Sequence, residues 1–141
     1  MKGCYSLIIF LRENQKIKIG KLKKINFKKG HYVYVGSAMN SLESRVKRHL
    51  SEEKKLHWHI DYLLKNKNTE ITEVIYNISA EKIECELSQY ISKKTRGIEG
   101  FGCSDCKCES HLYYFENEKE AIECVKNAYD SIAMEYKSLK R

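Results

Sequence analysis

GHYVYVGSAMNSLESRVKRHL, residues 30–50, is the stretch on which the fold turns. Its first half, His31-Tyr32-Val33-Tyr34-Val35, is aromatic and β-branched, as suits a pleated, half-buried strand. A period of two puts Tyr32 and Tyr34 on one face, and Gly36 is expected to end the strand. Asn40-Ser41-Leu42-Glu43 then has the form of a helix start, with Asn40 as N-cap and Glu43 reaching back to its amide. The helix is expected to run to about Leu50, with Leu42, Val46 and Leu50 as its apolar stripe. Arg45 and His49, one turn apart, share an adjoining face. A glycine lets backbone and substrate approach closely, and a guanidinium one turn into the helix can hold a phosphate bidentately. His49 places a proton acceptor beside it.

Outward from this segment, residues 3–11 read as a buried apolar strand and Lys16-Ile17-Lys18-Ile19 as a short alternating one, broken by Gly20. A second helix is expected over 55–66, with Leu56, His59, Ile60, Leu63 and Leu64 at helical spacing and Trp58 and Asp61 bordering the stripe. Residues 72–76 suit a strand, and 81–96 a helix with Ile83, Leu87, Tyr90 and Ile91 inward. After a Gly- and Cys-rich loop at 97–110, residues 111–115 read as the last strand, followed by a C-terminal helix over 117–136. Proline is absent and no linker or repeat appears, so a single domain is expected over 1–141.

The formal charge is +7, unevenly spread. Residues 1–70 carry sixteen Lys and Arg against six Asp and Glu, and residues 71–141 carry ten against thirteen, giving +10 and −3. A basic first half favours an anionic partner such as nucleic acid, although Lys-rich faces also serve solubility alone. The apolar run at residues 6–11 is too short to span a bilayer, and no export signal follows it. A cytoplasmic protein is expected, without a membrane partner and with reduced thiols.

Gly3-Cys4-Tyr5 opening the first strand and Tyr34-Val35-Gly36 closing the third resemble the two signature tripeptides of the GIY-YIG nuclease superfamily. In that superfamily an arginine follows the second glycine and a histidine comes one turn later, where Arg45 and His49 stand. The wider pattern, GHYVYVGSA, RVKRHL, HWHIDYLL, ECELS and GFGCSDCKCESHLYYF, is similar to a small, mainly archaeal branch whose domain also occurs attached to endonuclease III. The resemblance implies an α+β fold, a small central antiparallel sheet flanked by helices. It also implies a metal-dependent endonuclease, with DNA rather than RNA as the favoured partner and DNA repair as one setting.

On that reading Tyr5 and Tyr34 orient or deprotonate the nucleophilic water, His49 assists, and Arg45 holds the phosphate. A glutamate on the 81–96 helix binds Mg²⁺ or Mn²⁺, and motif comparison favours Glu84 over Glu86, which the helical periodicity leaves undecided. Lys23, Lys24, Lys28, Lys29, Lys47 and Arg48 are the candidate nucleic-acid contacts, most of them within a basic insertion at about 12–30. The asparagine that many superfamily members place late in the fold has no clear counterpart; Ser110 and His111 stand nearest. A non-catalytic nucleic-acid-binding module on the same fold is the alternative.

Cys103, Cys106, Cys108 and His111 offer Zn²⁺ ligands as C-x2-C-x-C-x2-H. Four tetrahedral ligands from so short a loop would be cramped. The preferred reading is a Gly-rich turn with buried thiols, or an active-site loop in which Asp105 and His111 matter. Cys4, Cys85 and Cys124 are expected in the core. His57 and His59 point to different faces of their helix, which leaves His59 as a core or hydrogen-bonded residue and Trp58 as a ring that could stack on an unpaired base.

Overall fold

A computed structural model describes residues 1–103 and 108–141. In chain order the elements are β1 (Gly3–Leu11), β2 (Gln15–Lys18), β3 (Lys24–Phe27), β4 (Gly30–Ala38), α1 (Leu42–Leu50), α2 (His59–Leu64), β5 (Thr69–Ile78), α3 (Glu84–Ser92), β6 (Leu112–Phe115), α4 (Glu118–Ser131) and β7 (Lys137–Lys140). Five strands form an antiparallel sheet in the order β6-β4-β1-β5-β7, while β2 and β3 pair separately as a hairpin. This is the α+β architecture expected from the sequence.

β1 lies at the centre and is covered on both faces, which explains its nearly unbroken apolar sequence. Tyr5, Leu7, Ile9 and Leu11 point into a core shared with α1, α2, the hairpin and Phe101. Cys4 and Ile8 point the other way, into a second core built on α3 and α4. The sheet therefore separates two helical layers. The hairpin realises the basic insertion: Ile17, Ile25 and Phe27 pack against the first core, whereas Lys18, Lys23 and Lys24 stay exposed. Its second strand, β3, carried no sequence signal strong enough to be expected.

Several boundaries differ from the sequence reading for identifiable reasons. β4 continues through Gly36 to Ala38, because β1 supplies partners along its whole length. Ser41, not Asn40, caps α1, its hydroxyl accepting the Ser44 amide at 3.1 Å. α2 is half the expected helix, and Leu56, 45% exposed, lies outside it. Asp61, expected at the border of the stripe, is 0% exposed: its carboxylate accepts the His57 and Trp58 amides at 2.9 and 2.8 Å and closes the helix's first turn.

α3 keeps Ile83, Leu87 and Ile91 buried as expected, but spans only the middle of the 81–96 segment. α4 stops at Ser131 rather than near 136. Ala133 turns left-handed at φ 55°, and the amides of Ala133 and Met134 return to the carbonyls of Asp130 and Tyr129, a Schellman closure. The chain then adds β7 on β5, so β6 is not the last strand. β7 is a short, Lys-flanked and exposed edge strand, which has no buried face to write a pattern into its sequence. Among the described residues no helix is long and apolar enough to cross a membrane.

Candidate active site

The two signature tripeptides meet side by side: Tyr5 of β1 lies directly opposite Gly36 of β4, and Leu7 opposite Tyr34. Gly36 is required there by space. A Cβ at that position would lie 2.6 Å from Tyr5 Cζ and Oη, so only glycine lets the phenol lie across the neighbouring strand. The Tyr5 hydroxyl reaches His49 Nε2 of α1 at 2.7 Å, and the Tyr34 ring centroid lies 6.4 Å from that of Tyr5 and 6.2 Å from that of His49. Two strands and a helix thus bring together three of the four residues expected to do the chemistry.

Arg45, the fourth, donates to the Ser37 carbonyl at 3.0 Å, at the end of β4, and its guanidinium carbon lies 4.4 Å from the centre of the Trp58 ring. The guanidinium partly offsets the effect of burial on both phenols. Tyr5, only 1% exposed, is pushed up to about 12, first by desolvation, with Arg45 opposing and Glu84 adding. Tyr34 is raised further by desolvation, with the Tyr5 phenol and Glu84 adding and Arg45 opposing. His49, 2% exposed, is lowered to about 3 because burial disfavours its cation. At neutral pH the cluster therefore holds two protonated phenols and a neutral imidazole.

Glu84 opens α3 on the far side of the sheet, yet its charge is felt by Tyr5, Tyr34, Cys4 and His111 alike. Its backbone, with that of Ile83, hydrogen-bonds the thiol of Cys4, the second residue of β1. Its carboxylate is partly exposed and 3.9 Å from Lys82 Nζ. Glu86, on the same helix, is exposed, whereas Glu84 is partly buried. Tyr32, on the same strand face as Tyr34, donates its hydroxyl to the Lys28 carbonyl at 2.6 Å.

Arg48 was expected among the phosphate contacts, but its guanidinium is otherwise engaged. Its nitrogens grip Asp61 Oδ1 and Oδ2 at 2.9 and 2.8 Å, donate to the Lys55 carbonyl, and lie 4.2 Å from the centre of the Trp58 ring. Asp61 and Trp58 are thus supporting residues that the sequence reading missed as such. Asp61 ties α2 to α1, and Trp58 packs against both arginines. The available signal was a lone carboxylate within an apolar helical pattern. Lys23, Lys24, Lys28, Lys29 and Lys47 are all exposed.

Phe101 and Gly102 border the site, the Phe101 ring centroid 6.3 Å from that of Tyr34. Gly102, at φ +75°, would bring a Cβ within 3.3 Å of the Tyr34 ring, and its amide donates to His59 Nδ1 at 2.8 Å, the hydrogen-bonded role expected of His59. His111, 3% exposed, bonds through Nδ1 to Ser88 Oγ of α3 at 2.7 Å. The zinc set weighed and not preferred for this loop includes Cys106, which like Asp105 lies outside the described residues. Cys4 and Cys124 are core residues as expected, but Cys85 is half-exposed in the first turn of α3.

One family model, described as Domain of unknown function DUF123, matches residues 4–134. No curated protein and no solved structure matches this chain.

Proposed function

The chain belongs to the DUF123 family, and from that membership and the geometry at the end of its sheet we propose that it is a metal-dependent endonuclease of the GIY-YIG type, hydrolysing nucleic-acid phosphodiester bonds. The observation that carries the reading is the Tyr5–His49 hydrogen bond of 2.7 Å, formed beside Tyr34 by residues from β1, β4 and α1. Packing alone has no need of a phenol and an imidazole paired across 44 positions of the chain. Arg45 and Glu84 act electrostatically on the same two phenols from opposite layers.

Hydrolysis needs a deprotonated water, a cation for the phosphorane charge and stabilisation of the leaving alkoxide. Arg45 meets the phosphate. The neutral His49 pairs with the Tyr5 hydroxyl and fixes its direction, and Tyr34 orients the attacking water. A partly exposed single carboxylate suits Mg²⁺ or Mn²⁺, hard ions that take one or two carboxylates and keep several waters. Glu84 would hold the ion, which supplies Lewis-acid stabilisation of the phosphate oxygens.

The burial of Tyr5 favours a second reading, a nucleic-acid-binding module on the same fold, because a phenol held near 12 and 1% exposed is a poor base. The two separate in a cleavage screen over structured DNA and RNA with Mg²⁺ or Mn²⁺. The nuclease reading expects cutting that falls at least about a hundredfold in Arg45→Ala and Glu84→Ala, with binding by Glu84→Ala retained. Salt-sensitive retention without any cutting would leave only the binder.

A further inference from the structure

Thiol and imidazole ligands gather at a second place, on the α3 side of the loop. Cys85 in the first turn of α3, Cys108 at the end of the loop and His111 just before β6 each offer one ligand atom, all lying within 4.8 Å of one another. We propose that Cys85, Cys108 and His111 form a zinc site that clamps the first turn of α3 to the segment leading into β6.

Three observations carry this assignment. The donors are two sulfurs and one imidazole, which suit Zn²⁺ and not the oxygen-seeking Mg²⁺. Their spacing is close to what the ion needs: with Zn–S about 2.3 Å and Zn–N about 2.0–2.1 Å, tetrahedral ligand atoms stand roughly 3.4–3.8 Å apart. The gap from the present upper bound of 4.8 Å closes with side-chain adjustments of about an ångström. The imidazole, finally, is already oriented. Ser88 Oγ engages Nδ1 at 2.7 Å and holds the plane of the ring, the outer-shell support that metal-binding histidines ordinarily have.

The backbone of His111 is fixed as well, its amide donating to the Phe101 carbonyl and its carbonyl accepting from Val35. Tyr113 donates to the carbonyls of both Ser88 and Ser110, tying the same stretch to α3. The cramping that argued against a zinc set confined to the loop disappears here, because Cys85 comes from a helix far away in sequence. Binding converts two thiols to thiolates and releases their protons to solvent. The three residues fill three of the four positions of a tetrahedral ion. Because Cys85 adjoins Glu84, the clamp also sets where that carboxylate stands.

The test reads metal rather than cleavage, so it stands or falls separately from the nuclease proposal. The full chain, purified under reducing conditions without added metal, is expected to hold about one zinc per molecule by mass spectrometry. Cys85→Ser and Cys108→Ser are expected to lose most of it, and Cys124→Ser, in the core between α3 and α4, to keep it. Replacing zinc by Co²⁺ should produce a thiolate charge-transfer band that Cys85→Ser abolishes. Should those variants fail to fold, alkylation of the unmodified chain decides: zinc is expected to slow modification of Cys85 and Cys108 together at least about tenfold. A chain that binds no zinc, or one whose zinc protects Cys108 while Cys85 reacts at its metal-free rate, would overturn the site.

Discussion

Gly36 and His49 show how single residues hold the candidate site together. A methyl group at position 36 has no room, since its carbon would sit 2.6 Å from the Tyr5 phenol. Gly36→Ala is expected to cost about 1–3 kcal/mol in urea denaturation, because the ring must leave its place over β4. A variant as stable as the parent would show that Tyr5 is not wedged there. For His49 the folded value is near 3 against 6.5 unfolded. Between these limits the unfolded chain binds a proton that the folded chain refuses, so its stability is intact above pH 6.5 and is lost as pH falls toward 3. His59 and His111 are lowered by burial in the same sense and steepen the decline. Melting temperatures measured downward from pH 7 are expected to fall less steeply in His49→Gln than in the parent; equal slopes would contradict a buried, neutral imidazole.

Among the elements, α1 and α2 matter most, since they carry the cationic side of the site and are joined through Asp61. That carboxylate takes two bonds from Arg48 and two from backbone amides, all within 2.8–2.9 Å, and is fully buried. Asp61→Asn leaves a guanidinium without its counter-charge and is expected to destabilise the fold by about 3 kcal/mol, less than a fully buried pair because Arg48 keeps some solvent. Trp58 is the chain's single tryptophan, so its fluorescence reports the loosening directly. An unshifted emission spectrum in Asp61→Asn would separate Trp58 from the ion pair. The helices also show what local sequence conveys well. Leu42 and Val46 on α1, Leu87 and Ile91 on α3 and Ile83 at its N-cap are placed on buried faces by spacing alone and are buried. Boundaries were less legible: Asp61 starts α2 late and Ala133 ends α4 early, through contacts that periodicity does not record.

For the molecule as a whole, the decisive feature is that the basic hairpin shares a layer with Tyr5, Tyr34, Arg45 and His49, while Glu84 stands on the far side of the sheet. The hairpin's lysines project from the same side of the sheet as α1, above the core that contains Tyr5 and Tyr34. If that surface tracks a sugar-phosphate backbone, each lysine contact contributes about 0.9 to the slope of log affinity against log salt on duplex DNA. Replacing Lys23 and Lys24 together by Gln is expected to weaken binding across unrelated sequences and lower the slope by about 1–2. An unchanged slope would assign those lysines to solubility.

From the sequence by itself came the two glycine-and-tyrosine strands and the Arg45–His49 helix face, because these depend on short spacings and on residues whose chemistry is distinctive; the preference for Glu84 came only with the family resemblance. Folding alone decided that Tyr5 pairs with His49, that Arg48 serves Asp61, and that Cys85 joins Cys108 and His111. Such partnerships cross strands and layers, and no period of a chain encodes which distant atoms its packing will press together.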